Sequence, residues 1–278
     1  KLESHSSPIY TSIHKKILYI AANALPFHRT GYSIRTQGLL KQIKNNGFDV
    51  ICLIRPGYPE DRSDVLKKVN KNKYTIDGVS YKHIPNGPDR RDLGLYNYFL
   101  QASEAIEREA RKEKPSVIHA ASNHENAVPA LMAARRLGLQ FVYEVRGLWE
   151  WTAAANNPGW DKTERFSLAK SLESFAATNA DMVFTLSQAL ADELVARGVK
   201  RECIHLLPNA VDTGRFSPRP KDKNLVKQLN LAKADLTIVY AGTLNFYEGL
   251  DDLLGAVKIL GDKQHDIRCL IIGQGKAY

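Results

Sequence analysis

Short apolar runs alternate with amphipathic stretches along most of this chain. KILYIAA (16–22) is a bounded apolar run, as a buried strand is. A Pro/Gly segment leads to Ser33–Lys44, where Ile34, Leu39, Leu40 and Ile43 share one helical face before Gly47. FDVICLI (48–54) is the next strand, stopped by Pro56-Gly57, and Asp77-Gly78 between YTI and VSYKHI predicts a hairpin. After a loop at 85–94 the pattern gives a charged amphipathic helix at Leu95–Lys112, strand SVIHA (116–120), helix Val128–Leu137 and strand FVYEV (141–145). Residues 146–160 read as a long loop holding Trp149, Trp151 and Trp160. A helix at Thr163–Thr178 and strand MVFTL (182–186) follow. Ser187 then stands at the N-cap position of a helix, Gln188–Arg197, that Gly198 ends, and strand CIHLL (203–207) leads to Pro208. This alternation predicts a parallel sheet with right-handed crossovers.

Thr213–Asp222, with Gly214, Pro218 and Pro220 among charged residues, reads as a linker. A second unit begins behind it: helix Leu225–Leu229, strand LTIVYAG (236–242), helix Leu250–Leu260 and strand IRCLIIG (267–273). One strand–helix–strand unit cannot complete a doubly wound domain, and about 60 residues is small for an independent core. The second domain is therefore expected to be incomplete in this chain.

The length, 278 residues, fits two domains at about 150 residues each. Apolar residues at 44% and charged residues at 25% exclude collagen-like, disulfide-scaffold and disordered classes. The net charge of +9 follows length and forms no basic tail, which favours small anionic partners such as nucleotide phosphates or acidic headgroups. No dense basic block with interleaved aromatics points to nucleic acid. Cys52, Cys203 and Cys269 lie far apart in apolar stretches and read as reduced, buried thiols of a cytoplasmic protein. The N-terminal segment has neither an initiating Met nor the apolar run of a secretory leader, as expected of a trimmed piece.

Four segments fall where strands give way to loops, the place at which doubly wound sheets bind ligands. In Pro26–Tyr32, Gly31 stands before a helix, so backbone amides and the positive helix start can approach a phosphate, with Arg29 and Tyr32 beside it. The plain alternative is a strand-to-helix turn. In His119–Glu125, two histidines and a glutamate suit acid–base work, at a spacing that is not a metal-binding one. His119 reads equally well as a buried strand histidine, and His124 is the better cleft residue. Arg146 directly follows a strand, where a guanidinium suits a diphosphate or the charge developing on a leaving group. The neighbouring aromatics suit sugar stacking, against the alternative that they pack on the domain. In Tyr240–Asp251, Gly242 and Gly249 permit close backbone approach at the start of a helix that suits a diphosphate.

Taken in order, these segments resemble the retaining glycosyltransferases of family four, which have the GT-B architecture. The resemblance runs from about Lys16 onward. It rests on Gly31, VIHAAS, VYEVRGLWEW, LESFAATNADMVFTLSQALADELVARGV, LLPNAVDTGRFSP, VYAGTLNFYEGLDDLLGAV and LIIGQG. The VRGLWE form is most similar to transferases that build bacterial exopolysaccharide or lipid-linked glycans.

The resemblance implies an α/β GT-B fold of two Rossmann-like doubly wound domains. It divides the chain into an N-terminal extension (1–15), an acceptor-side domain (16–212), a linker (213–222) and the start of a donor-side domain (223–278). It implies transfer of a sugar, with retention, from a nucleotide-diphosphate donor to a hydroxyl of a glycan or lipid-linked acceptor. A UDP-sugar is the expected donor, with no cofactor and no metal. The expected setting is cell-surface polysaccharide synthesis in the cytoplasm, with peripheral contact at the inner face of the plasma membrane. By position, Arg146 and His124 become the catalytic candidates. Gly31, Tyr32, Arg29, Gly242, Thr243 and Glu248 become donor-phosphate candidates, and His119, Trp149, Glu150 and Asn209 acceptor-side ones.

This sequence departs from the family pattern in three places. Arg146 stands where many relatives carry histidine. Thr243 and Glu248 stand where many carry Arg and Lys, so Arg146, Arg29 or Lys276 would have to supply the phosphate cation. The family's paired-glutamate motif would fall beyond Tyr278, so a longer natural chain is expected. The alternatives are a sugar-nucleotide epimerase, a sugar phosphorylase carrying pyridoxal, or an inactive GT-B-like protein that serves in binding or as a scaffold. A nicotinamide-dependent dehydrogenase is disfavoured because no GxGxxG follows the first strand.

Overall fold

The computed structural model describes residues 7–63, 72–84, 87–231, 234, 236–263 and 266–275. The chain divides into two compact units, Lys1–Trp151 with Gly159–Asn209, and Thr152–Pro158 with Ala210–Tyr278.

The first unit is built on a sheet whose strands are β1 (Lys16–Ala21), β2 (Asp49–Ile54), β3 (Lys73–Ile76), β4 (Val79–Lys82), β5 (Val117–Ala121), β6 (Gln140–Val145), β7 (Met182–Thr185) and β8 (Ile204–Leu206). Their order is β3-β4-β2-β1-β5-β6-β7-β8, parallel throughout except for the β3–β4 hairpin at Asp77-Gly78. The helices are α1 (Gly31–Asn45), α2 (Leu95–Glu113), α3 (His124–Leu137), α4 (Trp149–Asn156), α5 (Glu164–Thr178) and α6 (Gln188–Ala196). Strand order reverses between β1 and β5, so this is a doubly wound sheet whose ligand crevice belongs at the carboxyl ends of those two strands.

Alternation along the strands divides the core. Leu18, Ile20, Ile118, Phe141, Tyr143 and Val183 pack with α2, α3 and α5. Tyr19, Ala21, Val50, Cys52, Val79 and Tyr81 pack on the opposite side with Leu40 of α1. Phe141 is fully buried, so truncating it to Ala would cost about 3–5 kcal/mol.

Four differences from the sequence reading have physical causes. α1 buries Ser33, Thr36, Gln37 and Leu40 while Ile34 is exposed, because buried side chains and carbonyls satisfy that polar stripe. The Tyr81 hydroxyl donates to Gln37 Oε1 at 2.5 Å, and Gln37 Nε2 donates to the Ile76 carbonyl at 2.9 Å. α3 begins at His124, earlier than its apolar periodicity suggests, because a carboxylate from another helix caps it. The expected 146–160 loop contains α4, where a run of three alanines favours helix until Pro158-Gly159. Of the three thiols, only Cys52 is buried; Cys203 and Cys269 are half-buried.

The second unit holds α7 (Lys223–Gln228), β9 (Leu236–Ala241), α8 (Leu250–Asp262) and β10 (Ile267–Ile272). β9 and β10 pair in parallel. Residues 213–222, read as a linker, are exposed and belong to this unit by contact. The loops leaving the two strands run side by side. A Cβ on Gly273 would lie 1.8 Å from the Gly242 carbonyl oxygen, so only glycine fits there.

Candidate active site at the strand ends

The loop after β1 is propped from beneath by aromatic rings. Phe27 meets Tyr58, Tyr74 and His83 edge-on, with centroids 6.2, 6.0 and 5.4 Å away. Thr30 caps α1 reciprocally with Ser33, which fixes the direction of the helix start. Gly31 is exposed, and a Cβ added to it would meet nothing within 4 Å. The packing of this unit therefore does not require glycine there. Arg29 is exposed and makes no ion pair among the described residues. Tyr32 is half-buried; its hydroxyl accepts the Ala22 amide at 3.0 Å, and burial is the main cause lifting its pKa to about 12.

Arg146 is not the free guanidinium the sequence suggests. Its side chain is 4% exposed. It donates to Glu144 at 3.0 and 3.1 Å, to the Tyr19 hydroxyl at 2.5 Å, to the Tyr32 carbonyl at 3.0 Å and to Thr36 Oγ1 at 2.8 Å. It also lies over the Tyr32 ring, 4.4 Å from its centroid. With its donors spent inside the fold, Arg146 builds the site's floor and shapes α1.

Glu144 is the centre of that floor and is fully buried. Besides Arg146 it accepts from the Tyr19 hydroxyl at 2.5 Å and from Arg35 Nε at 3.0 Å. Burial alone would raise its pKa; the Arg146 charge, then His119 and the hydrogen bonds, hold it at about 2. Arg35 extends the network to the chain leaving β8. It donates to the carbonyls of Leu207 at 2.7 Å and Pro208 at 2.9 Å, and to Asn209 Oδ1 at 3.0 Å.

His119 is buried beside this carboxylate, with Nε2 3.6 Å from Glu144 Oε2 and no hydrogen-bond partner at that nitrogen among the described residues. Burial pushes its pKa down to about 4, opposed by Glu144 and helped by Arg146. It is a neutral core histidine, the alternative the sequence left open. Glu150 is also buried and sits 2.7 Å from Arg197 Nη1, so it faces the interior. Trp149 is 39% exposed, and its indole N–H donates to Ser122 Oγ at 3.0 Å. Trp151 and Trp160 pack edge-on against Phe166, at 5.0 and 5.8 Å, as the packing alternative has it.

His124 is the first residue of α3, at the carboxyl end of β5. Both its backbone N–H and its Nδ1 meet Glu173 Oε1, at 2.7 and 3.1 Å. The switch point between β1 and β5 therefore has Gly31 on one side and His124 on the other. Sequence reasoning did not single out Tyr19, Arg35, Glu144 or Glu173. The usable signals were a glutamate inside the apolar run FVYEV and another near the start of LESFAATNA.

In the second unit, Gly242 and Thr243 follow β9, and the Tyr240 hydroxyl donates to the Thr243 carbonyl at 2.8 Å. Glu248 is exposed, in the turn before Gly249. Gly249 has φ +70° and opens α8 with no side-chain cap. Lys276 lies outside the described residues. Among the described residues no group of three or more His, Cys, Asp or Glu is arranged to hold a metal, and no helix is long and apolar enough to cross a membrane.

The sheet order defines a doubly wound α/β protein, and comparison with known proteins places it in a family. Residues 30–210 match the glycosyl transferase 4-like domain, and the chain belongs to that family. One component of the human phosphatidylinositol N-acetylglucosaminyltransferase is 25% identical over 166 residues, covering 59% of this chain and 30% of that protein. Sucrose-phosphate synthase from Thermosynechococcus elongatus superposes with a TM-score of 0.69 at 16% identity, over 92% of this chain and 61% of that one. Anabaena HepE, solved with UDP and glucose, gives 0.64 at 15% identity, over 94% and 62%. A UDP-N-acetylglucosamine 2-epimerase assigned in Listeria monocytogenes gives 0.53 at 15% identity, over 94% and 63%. These likenesses establish the GT-B fold. The chain spans under two-thirds of the length of each of these proteins.

Proposed function

We propose that this chain belongs to a retaining glycosyltransferase that moves a sugar from a nucleotide-diphosphate donor to a hydroxyl of a glycan or lipid-linked acceptor. The observation that carries the reading is the open approach at Gly31. It is a glycine with no packing reason to be one, at a helix start beside the switch point. Arg29, exposed and without an ion pair among the described residues, supplies positive charge there. His124 stands across the switch point, where an acceptor hydroxyl would reach it. The diphosphate is held by helix starts and side chains without a metal. Gly242, Thr243 and the capless start of α8 contribute on the donor side, and Glu248 does not touch phosphate. Asn209 and Trp149 line the acceptor side.

In the transfer, the bond from the sugar's anomeric carbon to the diphosphate oxygen breaks, and the leaving oxygen keeps the electron pair. The acceptor oxygen bonds to that carbon on the same face and loses its proton. The presence of UDP in HepE supports a UDP-sugar as donor. Cytoplasmic work at an inner-membrane surface, in cell-surface glycan synthesis, belongs to the same proposal.

Calorimetric titration with UDP, GDP and ADP, with and without EDTA, tests the reading. Binding of UDP that EDTA does not weaken is expected. Failure to bind any of the three would overturn it. The epimerase likeness gives a second reading, tested by incubating the full-length protein with a UDP-sugar and no acceptor. Appearance of an epimeric UDP-sugar would favour it over transfer.

A further inference from the structure

Tyr143 and Glu144 are consecutive on β6 and so face opposite sides of the sheet. On the α1 side, Glu144 is neutralised by two arginines. On the other side lies a second buried carboxylate, Glu173 of α5, 6% exposed. Among the described residues Glu173 pairs with no lysine or arginine. It accepts instead from the His124 backbone N–H, from His124 Nδ1 and from the Tyr143 hydroxyl. Its charge is thus held by the start of α3, a phenol and an imidazole. Asn123, the N-cap residue of α3, makes no side-chain cap bond, so the carboxylate from α5 takes that place.

This geometry has a consequence for the imidazole. An ionised carboxylate only accepts hydrogen bonds. Nδ1 of His124 therefore donates to Glu173, and in the neutral ring Nε2 keeps its lone pair. Nε2 has no protein partner among the described residues, and the ring sits at the carboxyl end of β5, beside the switch point. In neutral histidine the hydrogen bond at one nitrogen decides what the other can do.

We infer that Glu173 is a positioning residue for sugar transfer: it locks His124 as the Nδ1–H tautomer, so that Nε2 receives the acceptor hydroxyl. This inference rests on the glycosyltransferase reading above. As the acceptor oxygen bonds to the anomeric carbon and the diphosphate departs with the electron pair, the hydroxyl proton passes to Nε2. The imidazolium so formed keeps its Nδ1–H bond to the Glu173 carboxylate, which stabilises the new charge. Tyr143 fixes the other carboxylate oxygen and keeps the group from rotating away.

The tautomer can be read without any activity, from nitrogen-15 spectra of the full-length protein labelled at histidine. The expected spectrum has His124 protonated at Nδ1 at neutral pH, changing toward the Nε2–H form in Glu173→Leu. An Nε2–H signal in the wild-type protein would overturn the inference. Kinetics give the second arm. Glu173→Gln keeps a carbonyl oxygen to cap α3, so a purely structural role predicts wild-type turnover. The positioning role predicts a kcat at saturating acceptor about 10²-fold lower in His124→Gln and at least tenfold lower in Glu173→Gln, with a near-wild-type melting temperature in Glu173→Gln. Wild-type kcat in His124→Gln would also overturn it. Failure of the wild-type protein to bind any of UDP, GDP and ADP would instead remove the glycosyltransferase reading, leaving the tautomer result standing.

Discussion

Replacing Glu144 by Gln tests whether the buried network under the site is a structural keystone. Gln can accept at only one oxygen and presents an amide donor where Tyr19, Arg35 and Arg146 all donate. Arg146, with a side chain 4% exposed, is left without its countercharge. Breaking a buried pair by removing one partner costs about 3–5 kcal/mol. A second route uses linkage: the carboxyl falls from 4.5 to about 2 on folding, equivalent to about 3 kcal/mol of stability. The two routes agree. For a unit of about 200 residues this lowers Tm by about 6–20 °C.

The assay is thermal unfolding at pH 7, with Lys112→Ala as control. Lys112 is 65% exposed in its pair with Glu109, so that loss should stay below about 1 kcal/mol. The pH dependence has a fixed sign. A depressed carboxyl pKa stabilises above the unfolded value of 4.5 and loses that contribution as pH falls toward 2. The gap between wild type and Glu144→Gln should therefore narrow on acidification. A gap under 2 °C at pH 7, or one that does not narrow, would refute the reasoning.

Three further outcomes follow. His119 is held neutral at about 4 from 6.5, so the fold loses about 3 kcal/mol as pH falls through that window; acid melts of His119→Leu should be flatter there. Gly31→Ala places a methyl in open space, so Tm should hold or rise slightly while UDP affinity falls at least tenfold by calorimetry. Gly138→Ala forces φ +65° on a residue whose Cβ would lie 2.0 Å from the Ser7 carbonyl oxygen; a Tm drop of several degrees is expected in a thermal melt.

The order of strands and helices was legible because fully buried parallel strands are written as short apolar runs, such as KILYIAA and FVYEV. What apolar periodicity could not show was polar burial. Ser33, Thr36 and Gln37 sit on the inward face of α1, so the pattern pointed Ile34 inward and was wrong. The start of α3 was missed for a related reason: its cap comes from Glu173, 49 residues away along the chain. Arg146 was legible as a strand-end residue, but its partners Tyr19, Tyr32 and Thr36 meet it only when β1 and α1 fold over β6. The places of Gly31 and His124 at helix starts after strands were legible because such a position is a local property.

The guanidinium of Arg35 joins α1, the buried Glu144 and residues 207–209 at a single point. In evolutionary terms, this binds the histories of three distant stretches of sequence. A change at Arg35 leaves two chain carbonyls and a carboxylate short of a donor, so a lineage that loses the arginine must also rebuild Glu144 or the Leu207–Asn209 exit. Substitutions at these places should be accepted together or not at all, and a swap of the Pro208-Asn209 segment between homologues should succeed only when its partner for position 35 travels with it.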